Sequence, residues 1–342
     1  MGSDDFPVAF DGRRYDLRRF LKDHPGGVNT LERYKGKSIT QAMKIFGHSN
    51  SAYHMLGDFK VGEENGVLTG DISGNGRIIT KEEENRDEKE IAHLEELESR
   101  LDWSMPIFCQ LGAIASDYDK WVHSAVFRNC RLFANPIMES MTYTQWYLVP
   151  TFWVPIIIYL MVTVYSQYVN CGDSCGPDSL TSLQYIQQLI SGVLLWTILE
   201  YSLHRWVFHF NPGSNLNLIR VHFLIHGIHH KVPFDGLRQV FPPIPAALLA
   251  ALLYFMLYPL VSYPIIKLIG GLIGYLIYDM IHYYVHHGSP KDGTYLYAMK
   301  RYHSNHHFVN HDKGKYQFFS KIWDHVFKTF VQVKKLSFSL RW

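Results

Sequence analysis

Four stretches of this chain run without a charge for longer than the helices of soluble proteins usually do. Residues 147–169 carry none across 23 positions, 183–199 none before Glu200, 241–266 none, and 268–278 none before Asp279. A bilayer core about 30 Å thick needs about 20 apolar residues in a helix. The first and third runs meet that length. The second and fourth meet it if their polar ends reach the interface or a protein interior. The expectation is four membrane-spanning helices, at about 147–169, 183–203, 243–262 and 264–285. The alternative, four core helices of a soluble protein, has to explain why the runs stay uncharged for so long.

Lys and Arg concentrate in cytosolic loops. The loop 167–182 holds Asp173 and Asp178 and no Lys or Arg, so it is expected in the lumen. The loop 204–240 holds Arg205, Arg220, Lys231 and Arg238, so it is expected in the cytosol. The tight connection from Pro259 to Pro264 returns to the lumen, with Lys267 as a dissenting charge. Four crossings put both termini in the cytosol, and no signal peptide opens the chain. Cys171 and Cys175 then face the oxidising side, where they can pair. Basic and acidic side chains nearly balance, 33 against 31, which argues against nucleic acid as a partner.

Residues 1–66 have another character: short α and β patterns punctuated by Gly and Pro. They contain Tyr15-Asp-Leu-Arg-Arg-Phe-Leu-Lys-Asp-His24-Pro-Gly-Gly27 and then Gly47-His48-Ser49. Over about residues 8–62 this segment resembles cytochrome b5. The resemblance implies a small α+β domain binding haem b, with axial ligands His24 and His48; His54 is the rival for the second position. Two imidazoles on opposite haem faces leave no open position on the iron, so such a haem passes single electrons and does not bind oxygen. Residues 67–102 are expected to form a linker, with a Gly-rich turn at 70–76, followed by a charged connector helix at 81–100 whose charges are solvated. Residues 103–342 form the membrane domain, with 103–140 expected as helices lying in the membrane interface.

The chain has 19 histidines, of which 14 lie at or after His204. They fall in clusters: His204-x4-His209, His222-x3-His226-x2-His229-His230, His282-x3-His286-His287, and His303-x2-His306-His307. Positions i, i+3 and i+4 share a helix face. His226, His229 and His230 therefore converge, as do His303, His306 and His307, and His282 with His286. In the expected topology these clusters, with His204 and His209, all meet on the cytosolic side. Imidazole suits zinc, copper, iron and nickel, and ten imidazoles are too many for one ion. A haem domain that delivers electrons has no use beside zinc, which lacks redox chemistry. Two iron ions fit, although zinc could occupy the same ligands in purified protein.

His222, one turn before His226, is a weaker candidate. His287, His311 and His325 read as ordinary surface or core residues. Glu200 and Asp279, each a turn before a histidine cluster, either accept the second ring N–H of a ligand imidazole or are plain polar groups at helix ends. Tyr275 and Tyr278 are candidates for the lining of an acyl entrance.

The motifs DYDKWVH, RLFANPIMES, HRWVFH, HFLIHGIHHKVPFD, YDMIHYYVHH and YHSNHH resemble the membrane fatty acid hydroxylase superfamily, and within it the sphingolipid fatty acid 2-hydroxylases. The resemblance spans nearly the whole chain, haem fusion included. It departs after His307, where Gly314-Lys-Tyr-Gln-Phe-Phe319 stands in place of a Gly-Phe-Gly stretch. It implies metal ligands at His204, His209, His226, His229, His230, His282, His286, His303, His306 and His307. It also implies an O2-dependent monooxygenase of the endoplasmic reticulum membrane that hydroxylates C2 of long acyl chains. Electrons would come from an NAD(P)H-dependent reductase through the fused haem. The alternatives are a sterol desaturase or methyl oxidase of the same superfamily, and a non-catalytic membrane protein that binds haem and metal.

Overall fold

A computed structural model of the chain describes residues 5–63, 81–172, 176–291, 293–309 and 322–330. The expected turn at 70–76, Cys175, His311 and the stretch 314–319 lie outside the described residues.

The N-terminal unit starts with a hairpin of β1 (Pro7–Phe10) and β2 (Arg13–Asp16), joined antiparallel through Asp11-Gly12. Both turn residues have positive φ (+45° and +73°), as a right-twisted two-residue hairpin requires. β3 (Lys60–Glu63) pairs antiparallel with β2. Between β2 and β3 run α1 (Val28–Glu32), α2 (Thr40–Phe46) and α3 (Asn50–Leu56). Their core gathers Val8, Tyr15, Leu17, Phe20, Met55 and Phe59. α2 ends on Gly47 in the left-handed conformation (φ +64°). Only glycine takes that turn without a Cβ penalty, and it folds His48 back so that its backbone N–H reaches Met43 O at 3.2 Å.

Helix α4 (Lys81–Ser99) is the charged connector. It is not wholly solvated: Leu94, Leu97 and Glu98 are buried, and the helix packs on α3 and on α5 (Tyr118–Val122). Residues 103–135 also differ from expectation. They form short helical turns and extended chain whose Ile107, Leu111, Ile114 and Trp121 are fully buried against α9 (Leu216–His222) and its continuation. The large, apolar, aromatic residues of this stretch favour a protein core over the membrane interface. Around α6 (Pro136–Ser140) apolar side chains such as Ile137 and Met141 stay exposed, as does Met105.

The apolar runs form α7 (Leu148–Tyr168), α8 (Ser182–Ser202), α11 (Pro243–Leu257) and α12 (Pro264–His287). Two of them, α7 and α12, are long and apolar enough to cross a membrane; α11 is apolar but has 15 residues. α8 and α12 make the closest pair. A Cβ on Gly192 or Gly270 would strike the opposing backbone, the small-residue contact that lets two membrane helices touch. Between α8 and α11 the chain forms α9 and then α10 (Ile228–Lys231). Beyond α12 come α13 (Tyr295–Phe308) and α14 (Ile322–Val326).

Candidate functional site

His24 and His48 face each other across the pocket of the N-terminal unit, ring centroids 6.3 Å apart and 28° from parallel. A ring nitrogen about 2 Å from an ion puts its centroid roughly 3 Å away, so opposed imidazoles on one iron stand about 6 Å apart. His48 Nδ1 donates to Met43 O at 3.1 Å, which turns Nε2 toward the pocket. Burial, with His48 beside it, pushes the His24 imidazole down to about 3, so it is neutral and able to ligate at pH 7. His54 lies elsewhere: its Nε2 is 3.9 Å from Glu98 Oε1. Leu31, Ile39, Met43 and Phe59 give the pocket apolar walls.

The second cluster is built from five segments. α8 runs into a wide π-turn, Leu203–Phe208, closed by His209 N–H on His204 O at 3.2 Å. In an α-helix five residues turn about 500°, leaving His209 roughly 140° from His204. The π-turn narrows that offset, and the two Nε2 atoms meet at 3.3 Å. A second π-turn, Phe223–Gly227, joins α9 to α10 and carries His226 toward the same point. Such turns recur at functional sites. Gly227 is required there, because a Cβ would come within 2.5 Å of Tyr118 Oη. α12 brings His282 and His286; α13 brings His303, His306 and His307.

The histidines sort into two neighbouring groups. One joins His204, His209, His226 and His306; the other joins His229, His282, His286 and His303. His230 adjoins the first, Nε2 to Nε2 of His226 at 3.1 Å. His307 adjoins the second, 3.0 Å from His303. Further pairs close at 3.2 Å (His204–His226), 3.2 Å (His229–His282) and 2.5 Å (His286–His303). Nitrogens each about 2.1 Å from one ion stand about 3 Å apart at a right angle, so this donor set fits metal. Burial and the neighbouring imidazoles hold His226, His229, His230, His303 and His307 well below the usual histidine range. They are neutral, the form a metal needs.

His123, not singled out in the sequence, belongs to this cluster: it groups with His209 and His230 and its Nδ1 donates to Asp119 O at 2.9 Å. Its only sequence signal is its place at the end of DYDKWVH, about 80 residues before the first cluster. His222 stands outside both groups, its Nδ1 2.7 Å from Tyr118 Oη. His287 turns toward Asp23, at 3.7 Å, and His325 is exposed and stacked on Phe330.

Asp279 accepts the Phe241 N–H at 3.3 Å, while the carbonyl of Gln239 holds His282 Nδ1 at 3.2 Å. Tyr278 stacks on His282, 5.7 Å between centroids and 5° from parallel. Glu200, Tyr275, Tyr278 and Asp279 all line one cavity between α8, α11 and α12. It begins at His226, His229 and His282 and continues past Leu199, Leu253 and Leu272 to Val261 and Lys267. Along α12, from His282 to Lys267, it spans roughly 22 Å at 1.5 Å per residue.

The sequence profile of the Fatty acid hydroxylase family matches residues 189–329, and that of the Cytochrome b5-like Heme/Steroid binding domain matches residues 2–65. The chain is 36% identical over 336 residues to the fatty acid 2-hydroxylase of Mus musculus, covering 93% of this chain and 89% of that protein. It is 30% identical over 367 residues to the ceramide very long chain fatty acid hydroxylase SCS7 of Saccharomyces cerevisiae, covering 95% and 90%. A solved structure of full-length scs7p, with only its hydroxylase domain visible, superposes with a TM-score of 0.60 at 28% identity, covering 73% of this chain and 89% of that one.

Proposed function

The chain belongs to the family of the fatty acid 2-hydroxylases, with a cytochrome b5-like domain ahead of a fatty acid hydroxylase domain, and from that premise we propose how its residues serve the reaction. One atom of O2 enters the C2–H bond of a long acyl chain destined for or held in a sphingolipid. The other leaves as water, at the expense of two electrons and two protons. Neither a sterol oxidase nor a non-catalytic binder is favoured by the relatives, which are named for fatty acyl and ceramide hydroxylation.

The observation that carries this reading is the apolar cavity that ends on His226, His229 and His282. An acyl tail lies among Leu253, Leu257 and Leu272. The carbonyl head stops at the polar rim of Arg238 and Gln239, so the first carbons beyond it lie nearest the histidines. Cavities that bury most of an apolar ligand and fix it with a few polar groups are the usual form of such sites.

The histidine groups hold two iron ions, His204, His209, His226, His230 and His306 on one side, His229, His282, His286, His303 and His307 on the other. Iron there supplies oxygen activation and cleavage of an unactivated C–H bond. The protein supplies the rest: Gln239 O and the Tyr278 ring fix His282, and the walls of α8, α11 and α12 exclude water. His24 and His48 hold haem b, which an NAD(P)H-dependent reductase recharges.

The domains run over residues 1–66, 67–102 and 103–342. α7, α8, α11 and α12 span the endoplasmic reticulum membrane with both termini cytosolic. In support, α8 presents Leu183, Ile186, Ile190 and Leu194 outward, and α11 presents Ile244, Leu248, Leu252 and Phe255, all exposed. Such continuous apolar stripes need a lipid or protein cover.

Expression in cells that lack 2-hydroxylase activity, followed by mass spectrometry of their lipids, tests the reading. Sphingolipids with 2-hydroxy acyl chains are expected. A change in sterols with no 2-hydroxy product would overturn it.

A further inference from the structure

Helix α13 has two occupied faces. His303, His306 and His307 follow the i, i+3, i+4 pattern and join the histidine groups. Arg301, Ser304, Asn305 and Phe308 follow i, i+3, i+4, i+7 and line the pocket between His24 and His48. At about 100° per residue the two sets point in opposite directions. The pocket of the N-terminal domain is thus closed on one side by the helix that backs the metal cluster.

The two domains are joined firmly at this place. Asp58 pairs with Arg128 at 2.7 Å and accepts the Phe127 N–H at 2.8 Å. The rings of Phe20, Phe59, Phe127 and Phe234 interlock across the boundary. The loop before His24 adds Asp23 to His287, at 3.7 Å. A chain of rings crosses the interface: His24 to Phe20 (5.8 Å), Phe20 to Phe234 (5.4 Å), Phe234 to Phe308 (6.1 Å), Phe308 to His307 (6.1 Å).

We propose that α13 is the electron bridge of this protein: Arg301 and Phe308 complete the haem site from the hydroxylase domain, and Phe308 links the haem pocket to the histidine centre through His307. The proposal rests on the reading that the haem feeds that centre. In each transfer one electron leaves ferrous haem, which becomes ferric, and reduces the metal centre by one electron. The NAD(P)H-dependent reductase then re-reduces the haem, and two such transfers supply one hydroxylation. The separation crossed is one helix, whose diameter with side chains is about 10–12 Å. Arg301 places a permanent cation in the pocket wall, where it favours the reduced, less positive haem.

The full chain, loaded with haem and iron in lipid nanodiscs, is compared with Arg301→Gln, Phe308→Leu and Phe308→Tyr. Three readings are taken: the haem spectrum with its midpoint potential, the iron content, and the rate at which pre-reduced haem oxidises on mixing with O2 and a long-chain acyl substrate. Arg301→Gln is expected to lower the midpoint potential while the bis-histidine spectrum persists. Phe308→Leu is expected to slow haem oxidation about tenfold, a barrier change of about 1.4 kcal/mol, with iron content kept. Phe308→Tyr, which retains the ring, is expected to keep the rate.

An unmoved potential in Arg301→Gln, together with wild-type oxidation rates in Phe308→Leu, would overturn the bridge. Equal slowing by Leu and Tyr would overturn the role of the ring. If Phe308→Leu loses iron, the potential of Arg301→Gln decides alone. Wild-type haem that never oxidises in response to substrate would instead overturn the underlying reading, that this haem supplies the electrons.

Discussion

Lys231 is completely buried, and its ammonium lies against the carboxylate of Glu98, which ties the residue after His230 to the last turn of α4. The other donors of Lys231 go to Trp121 O at 3.0 Å and Ser124 O at 2.6 Å. Burial pulls its ammonium down to about 8, and Glu98 opposes that shift. Lys231→Met would strip the Glu98 carboxylate of its nearest cation, leaving Arg128 at 3.8 Å and the Trp103 indole N–H at 3.0 Å, so the loss should fall below the about 3–5 kcal/mol of a wholly unpaired buried charge. Thermal unfolding in detergent should show that loss. The double variant Glu98→Leu/Lys231→Met should recover most of it; a double variant as unstable as the single one would mean the pair is not the source.

The histidine centre makes a separable prediction. His303→Ala or His226→Ala should remove iron and abolish hydroxylation while the haem spectrum stays intact. His123→Ala should lower iron content less than either. His287→Ala should retain its iron, since that ring turns toward Asp23. Metal analysis beside absorbance decides each case; a His287 variant without iron would move the edge of the site.

Acid should act on the haem pocket in a defined window. His24 titrates near 6.5 when unfolded and at about 3 when buried, and burial lowers His48 as well. Between those values the unfolded chain binds more protons. The haem-free domain should therefore keep its full stability above about pH 6.5 and lose it progressively toward pH 3. Thermal denaturation of the haem-free full chain, followed through the pH series, measures this. Stability that rises on acidification would contradict the burial of both rings.

The membrane topology can be read at one cysteine. Cys171 is disulfide-bonded, whereas Cys109 and Cys130 are free thiols. After mild reduction, Cys171 in sealed microsomes should react with an impermeant maleimide only once the membrane is opened. Labelling from the outside would invert the orientation set by the charges of the loops.

Much of this was legible in the sequence because periodicity carries it. The uncharged runs became α7, α8, α11 and α12, and the spacing of His303, His306 and His307 put them on one face of α13. The opposite face, Arg301 to Phe308, has the same periodicity but no residue type that announces a pocket. The pairing of His204 with His209 could not be derived from α-helical geometry, since it depends on a π-turn. The burial of Glu98 was hidden because its partner lies 133 residues away. The role of Gln239 is a backbone carbonyl, which any residue would offer.

The π-turn before α10 offers the sharpest test of local geometry. Gly227 sits where a Cβ would meet Tyr118 Oη at 2.5 Å, His222 Nδ1 at 3.0 Å and Val122 Cγ2 at 3.1 Å. Tyr118 is fully buried and bonded to His222, so the hydroxyl cannot simply swing into solvent. Gly227→Ala should push the turn away from α5 and carry His226 and His230 out of register. Overpacking a filled core destabilises by typically 1–3 kcal/mol, and iron content should fall with it. Adding Tyr118→Phe removes the first obstacle and leaves the two looser ones. The double variant should thus regain part of the iron and part of the unfolding temperature, while Tyr118→Phe alone leaves His222 Nδ1 without its hydroxyl partner at a cost of about 1–3 kcal/mol. Iron per protein and unfolding temperature for the four members of this cycle measure the coupling. Strictly additive losses would show that the contact with Tyr118 is not what demands glycine here.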